Sequence, residues 1–302
     1  MRSDIGIRRR RRVLRAIAIL ALLMPIAVPS ESGTITLSTM AEYKRDGVTQ
    51  ALDMDAASGG SIGSLVNAPL SSGLDFDSSG DGPEARATAS STASVHARVD
   101  GQFYDGVPVH EMSASSTYFE EFVGNGGPLS YGFFIPMHSI SLFDNSGSGL
   151  PITLGYDVTL SLFQGGSSTV LFTSSATLSG IQGSATLTEG GTDLGATPGC
   201  PVATCNPLFD YIFGFPAYSD TIALGTFADG EVFSLELNVT AFMSTHGLEQ
   251  GGVVEIGDPG ALSGPGISGK VIGLVNPVPE PGSLYLLGLG LIAVTARLRR
   301  RS

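Results

Sequence analysis

The stretch Ile152-Thr-Leu-Gly-Tyr-Asp-Val-Thr-Leu-Ser-Leu162 carries an apolar or aromatic side chain at every second position over eleven residues. Successive side chains of a strand point to opposite faces, so this alternation describes a strand with one face in a core and one in water. The pattern returns at Val95, Ala97 and Val99, at Leu129, Tyr131, Phe133, Ile135 and Met137, and at Phe233, Leu235, Leu237, Val239, Ala241 and Met243. Between these runs lie Gly/Ser/Asn/Asp stretches such as 144–149 and 164–168, whose composition suits hairpin turns. Shorter candidate strands cover 169–178, 185–188, 208–215, 221–227, 253–256 and 267–275. No segment between residues 31 and 276 shows a capped 3.6-residue period. An all-β chain is expected, its body an antiparallel β-sandwich, with a barrel as the alternative.

Working outward, residues 85–276 form the expected sandwich. Residues 31–84 read as an irregular lead-in of one or two strands and long loops, because Ser, Gly, Ala and Asp dominate and apolar pieces occur only around 35–37 and 62–65. Residues 1–30 place arginines at 8–12 and 15 before an apolar core from Ala16 to Met24, followed by Pro25 and small residues. That is the layout of a secretory signal peptide, here expected as an N-terminal signal helix removed near 27–30. A twin-arginine reading of 10–15 is weaker, since a long arginine run matches it by chance.

Residues 277–302 have three parts: Pro277-Val-Pro279-Glu280-Pro281, an uncharged run from Ser283 to Ala296, and a basic end at Arg297, Arg299, Arg300 and Arg301. The prolines fix φ and remove donors, so the Pro-Glu-Pro segment should be extended and open to a processing enzyme. The run that follows is expected to be a single C-terminal transmembrane helix, since in lipid only a helix satisfies every backbone group of so short a segment. About 14 residues span roughly 21 Å, short of the roughly 30 Å of a hydrocarbon core, which suits temporary retention better than a permanent anchor. Basic residues at both ends of the chain favour the cytoplasm and place the body outside it.

Between residues 31 and 278 only Lys44, Arg45, Arg86, Arg98 and Lys270 face 26 acids, a net charge of −21, against −12 for the whole chain. Such a body repels nucleic acid and anionic lipid and stays soluble by self-repulsion.

The tail resembles the PEP-CTERM sorting domain of exosortase substrates in Gram-negative, often biofilm-forming bacteria. The resemblance rests on Val278-Pro279-Glu280-Pro281-Gly282-Ser283, the Leu/Gly-rich span and Arg-Leu-Arg-Arg-Arg at 297–301, and covers about the last 26 residues. It implies that Pro279, Glu280 and Pro281 are recognised by an exosortase-type, transpeptidase-like enzyme, and that the apolar and basic parts hold the precursor in the inner membrane until processing.

Other constellations are sparse. Cys200 and Cys205, the only cysteines, suit a local disulfide in an exported chain. Asp75-Phe-Asp77-Ser-Ser79-Gly80-Asp81 copies the first seven positions of a calcium loop, then fails at Gly82 and at Arg86, which stands where a bidentate acid belongs. No cofactor is required; calcium at Asp75, Asp77 and Asp81 stays open because weak extracellular sites tolerate incomplete ligand sets. Gly59-Gly-Ser61-Ile-Gly63 matches a nucleophile-elbow pattern without the strand before it that such an elbow needs. His96, His110, His138 and His246 share no ligand spacing. Glu120 and Glu121 are adjacent, so on a strand they point to opposite faces and cannot act as one carboxylate pair. Of Tyr118, Phe119, Tyr131, Phe133 and Phe134, half fall on the inward phase.

The expected protein is therefore exported and non-enzymatic, passing from the inner membrane to periplasm, cell surface or extracellular matrix, with exopolysaccharide as a candidate partner and no nucleic acid. The alternative is a secreted β-sandwich carbohydrate-binding module or hydrolase whose site is assembled from distant loops.

Overall fold

In the computed structural model the described residues are 34–59, 65–70, 84–90, 94–103, 109–199, 211–246, 249–257 and 266–274. The chain divides into Met1–Glu31 and Ser32–Ser302, and every described residue belongs to the second unit. The signal helix, the C-terminal membrane helix, Cys200, Cys205, Asp75, Asp77, Asp81 and the Pro279-Glu280-Pro281 motif lie outside the described residues.

Seventeen strands are present and no helix among the described residues: β1 Ile35–Arg45, β2 Val48–Gly59, β3 Leu65–Leu70, β4 Glu84–Ser90, β5 Ser94–Phe103, β6 His110–Val123, β7 Pro128–Ile135, β8 His138–Asp144, β9 Ile152–Gln164, β10 Ser167–Ile181, β11 Ser184–Gly191, β12 Thr197–Pro198, β13 Tyr211–Phe215, β14 Tyr218–Thr226, β15 Val232–Thr245, β16 Gln250–Ile256 and β17 Ser268–Ile272. They form two seven-stranded sheets, ordered β11-β10-β9-β15-β6-β1-β2 and β12-β13-β8-β16-β5-β4-β3, and a three-stranded sheet β14-β7-β17. Every pairing in them is antiparallel. The expected all-β antiparallel class is thus present.

The two large sheets pack face to face: β5 lies against β6 and β15, β16 against β15 and β9, and β8 against β9 and β10. The alternation at 152–162 now has its cause, since Ile152, Leu154, Tyr156, Val158, Leu160 and Leu162 are all buried in a single apolar cluster with Leu235, Leu237, Val239, Val254 and Ile140. The hairpin expected at 164–168 joins β9 to β10 through Gly165 and Gly166, both at positive φ (57° and 81°), as the tight turn between twisted strands requires. The stretch 144–149 is not a hairpin turn. It carries the chain from β8 in the second sheet to β9 in the first.

The stretch 31–84 departs from the irregular lead-in expected. β1 is an interior strand, paired with β2 on one side and β6 on the other, and Leu37, Ala41 and Tyr43 are in the core. Its inward row also holds Thr39 and its neighbours are small or polar, so the apolar contrast between its faces is slight although the burial contrast is strong.

Both strands of the second sheet's ribbon break at a proline at the same level. Ile135-Pro136-Met137-His138 lies beside Phe215-Pro216-Ala217-Tyr218, with Phe215 opposite His138 and Tyr218 opposite Ile135. Proline has no N–H to give the ladder, so pairing stops there and resumes as the third sheet. Packed at this break, the His138 ring stacks on Phe215 at 4.6 Å and meets Tyr156 edge-on at 4.9 Å.

Candidate functional site

An open groove of about 1000 Å³ lies where the end of β6 meets the third sheet, walled by Tyr118, Glu120 and Phe122 on one side and by Phe133, Phe134 and the β17 backbone on the other, with Asp220 and Lys270 at its lining. The pleat explains who enters it. Residues of even number on β6 face inward, so Tyr118 and Glu120 share a face while Phe119 and Glu121 take the other. The expectation that Glu120 and Glu121 cannot serve one site follows from this same parity.

Tyr118 donates its hydroxyl hydrogen to the Glu120 carboxylate. Burial holds the Glu120 carboxyl above the ordinary carboxylate range, and the Tyr118 hydrogen bond only partly offsets this. Burial also raises the Tyr118 and Tyr131 phenols well above their usual value, Tyr118 further through its bond to Glu120. On β17, a Cβ at Gly269 would overlap the Tyr131 ring, so only glycine lets that ring lie flat across the neighbouring strand. The result is a half-buried carboxyl bonded to a buried phenol at an aromatic-walled groove, where the carboxyl can give or accept hydrogen bonds to a hydroxyl-bearing ligand.

Of the aromatic residues singled out in the sequence, Tyr118, Tyr131 and Phe133 are core, and Phe134 is 36% exposed. The histidines are not brought together. His96 and His110 are buried in separate places, His110 against Tyr43 (2.8 Å to its hydroxyl) and Phe103, and His96 beside Ser94. His138 donates from Nδ1 to the Pro136 carbonyl at 3.0 Å, its Nε2 is buried without a hydrogen-bond partner among the described residues, and burial lowers its pKa to about 4. No group of three or more His, Cys, Asp or Glu suited to a metal occurs among the described residues. Sequence reading missed the groove: Tyr118-x-Glu120 on one strand face was visible, but its opposite wall comes from β17.

The body is thus an antiparallel sheet protein, and the tail attached to it defines the class: an exported protein bearing a C-terminal sorting signal. That signal is the PEP-CTERM protein-sorting motif, whose family model matches residues 277–301 and includes Pro279, Glu280, Pro281 and the arginines at 297, 299, 300 and 301. The motif implies recognition by an exosortase-type processing enzyme, with the C-terminal segment anchored in the membrane beforehand. Among curated proteins no sequence matches the chain.

Proposed function

We propose that the chain is a cell-surface or extracellular-matrix protein, delivered by exosortase-type sorting, whose sheet body works by non-covalent contact and has no catalytic activity of its own. The observation that carries this reading is the sorting-motif match at 277–301. The acidic body supports it, because a net charge of −21 between residues 31 and 278 keeps a released protein soluble and away from anionic surfaces. In this reading Pro279, Glu280 and Pro281 form an extended recognition strand, and the four terminal arginines stop transfer on the cytoplasmic side. The test is replacement of Pro279-Glu280-Pro281 by alanines in the native host, followed by membrane and medium fractionation. Unprocessed precursor in the inner membrane is expected, and normal release would overturn the proposal.

The groove at Glu120 favours a second reading, in which the body binds or hydrolyses a glycan. A carboxyl with raised pKa beside aromatic walls suits sugar hydroxyls and ring faces. Retention of the folded protein on a glycan array, lost in Glu120→Gln, would support it; no retention and no sugar release would leave the structural reading.

A further inference from the structure

Strands β6, β9, β10 and β15 turn alternate side chains away from the core, and on this outer face of the first sheet they sort into two bands. One band is apolar. Phe119 on β6 and Phe163 on β9 meet with ring centroids 6.1 Å apart and planes at 58°, Val123 stands directly opposite Val232, and Val170 stands opposite Ser161. Val170, Val232 and Val123 are 58%, 56% and 42% exposed. A single exposed apolar side chain is ordinary, but a contiguous patch rimmed by polar groups marks an interaction surface.

The second band is polar and uncharged. Thr173, Thr159, Asn238, Thr117 and Ser38 stand opposite one another in register across β10, β9, β15, β6 and β1. At about 4.8 Å per strand the row runs roughly 19 Å. Asn238 Nδ2 donates to Thr117 Oγ1 at 2.8 Å, which orders the middle of the row.

Charge selects the occupant. β6, β9, β10 and β15 contain no lysine or arginine, while Glu111, Glu121, Asp157 and Glu236 all stand on this face. Glu236 is the register partner of Phe119, and Glu121 follows Phe119 by two residues on the same side of β6. A second copy docked here would set carboxylates against carboxylates, and an anionic polymer would be repelled in the same way. The complement is a ligand with flat apolar faces, hydroxyls spread along its length and positive charge.

From this placement we infer that the outer face of β6, β9, β10 and β15 binds a polysaccharide carrying free amino groups. The C–H faces of its sugar rings lie on Phe119 and Phe163. Its ammonium groups meet Glu236 and Glu121 within cation–π reach of the same rings, and its hydroxyls exchange hydrogen bonds with the threonine row. The surface is separate from the Glu120 groove, because Glu120 turns to the opposite side of β6. The inference rests on the proposed non-covalent role of the body.

The test uses the full chain in non-ionic detergent, titrated by calorimetry with a glucosamine oligomer, with the fully N-acetylated oligomer of equal length, and with oligolysine of equal charge. Saturable binding of the glucosamine oligomer is expected, with the N-acetylated form much weaker. Phe119→Ala and Phe163→Ala should each weaken it about five- to tenfold. Glu236→Gln and Glu121→Gln, surface changes that leave the Tm in place, should each weaken it about threefold. Salt at 1 M, where the Debye length is about 3 Å, should weaken it too. Equal binding of the N-acetylated oligomer would overturn the assignment, as would oligolysine binding as tightly and indifferent to both phenylalanine changes. Binding lost in Glu120→Gln but kept in Phe119→Ala would overturn it by placing the ligand in the groove. No binding to the folded chain would overturn this inference alone, whereas cleavage of the oligomer would overturn the non-catalytic reading on which it rests.

Discussion

The sheet body and the sorting segment differ in what holds their information. In the segment, meaning is linear: a Pro-Glu-Pro motif, an apolar run and a basic end, in that order within 25 matched residues, make up the sorting motif. In the body, meaning is spatial, since the groove and the core are each assembled from strands far apart in sequence. A short ordered signal can be moved or destroyed without touching the fold, and the fold can be weakened without touching the signal.

That separation can be broken most sharply at the motif. Replacing Pro279-Glu280-Pro281 with alanines should take processing from essentially complete to none while the melting temperature of the body stays put; a shifted Tm would mean that the two regions depend on each other. The largest effect within the body is expected at Leu154, fully buried between the sheets: Leu154→Ala should cost about 2 to 5 kcal/mol in urea denaturation through the cavity it leaves. The surviving folded protein should still be processed normally.

A pH effect comes next. His138 has a folded pKa of about 4 against an ordinary 6.5, because burial disfavours its charged form. The unfolded chain therefore binds the proton first, and stability falls as pH drops from about 6.5 to about 4 by up to roughly 3 kcal/mol. His138→Phe should flatten that part of the pH profile. Glu120 acts with the opposite sign, since its pKa is raised by burial: the folded state holds the proton longer, and stability is lost as pH rises past the ordinary carboxylate range. The smallest effect is Ser116→Ala on β6, which removes a 2.6 Å hydrogen bond to the His96 carbonyl across the two sheets and should cost about 1 kcal/mol.

The same residues explain what could be read from sequence. β9 and β15 announce themselves because their inward rows, Ile152 to Leu162 and Phe233 to Met243, are unbroken apolar side chains. β6, which pairs with β15 on one side and β1 on the other, does not. Its inward row, His110, Met112, Ala114, Ser116, Tyr118, Glu120 and Phe122, mixes polar groups among the apolar ones. Those inward polar groups are tolerated because each has a partner: Ser116 reaches the His96 carbonyl, His110 the Tyr43 hydroxyl, and Tyr118 the Glu120 carboxylate. Partners of that kind are fixed by tertiary packing, so no window along the chain reveals them. β1 showed only as the apolar piece at 35–37, one of the one or two strands expected there, and its full length was hidden for a related reason, Thr39 and Ala41 standing in its core row. The groove needed Tyr131 and Gly269 on adjacent strands, a pairing that the candidate strand at 267–275 could not announce by itself. The tail was legible because its motif is an order of residues along the chain, matched at 277–301.

The central claim is that this tail is a removable sorting signal for an exported acidic sheet protein. Mass spectrometry of the mature protein from its native host tests it most directly. The account predicts a chain shortened at both ends, without the N-terminal arginines and without Arg297, Arg299, Arg300 and Arg301, recovered outside the inner membrane. A mass matching all 302 residues, from protein still held in the inner membrane, would contradict it.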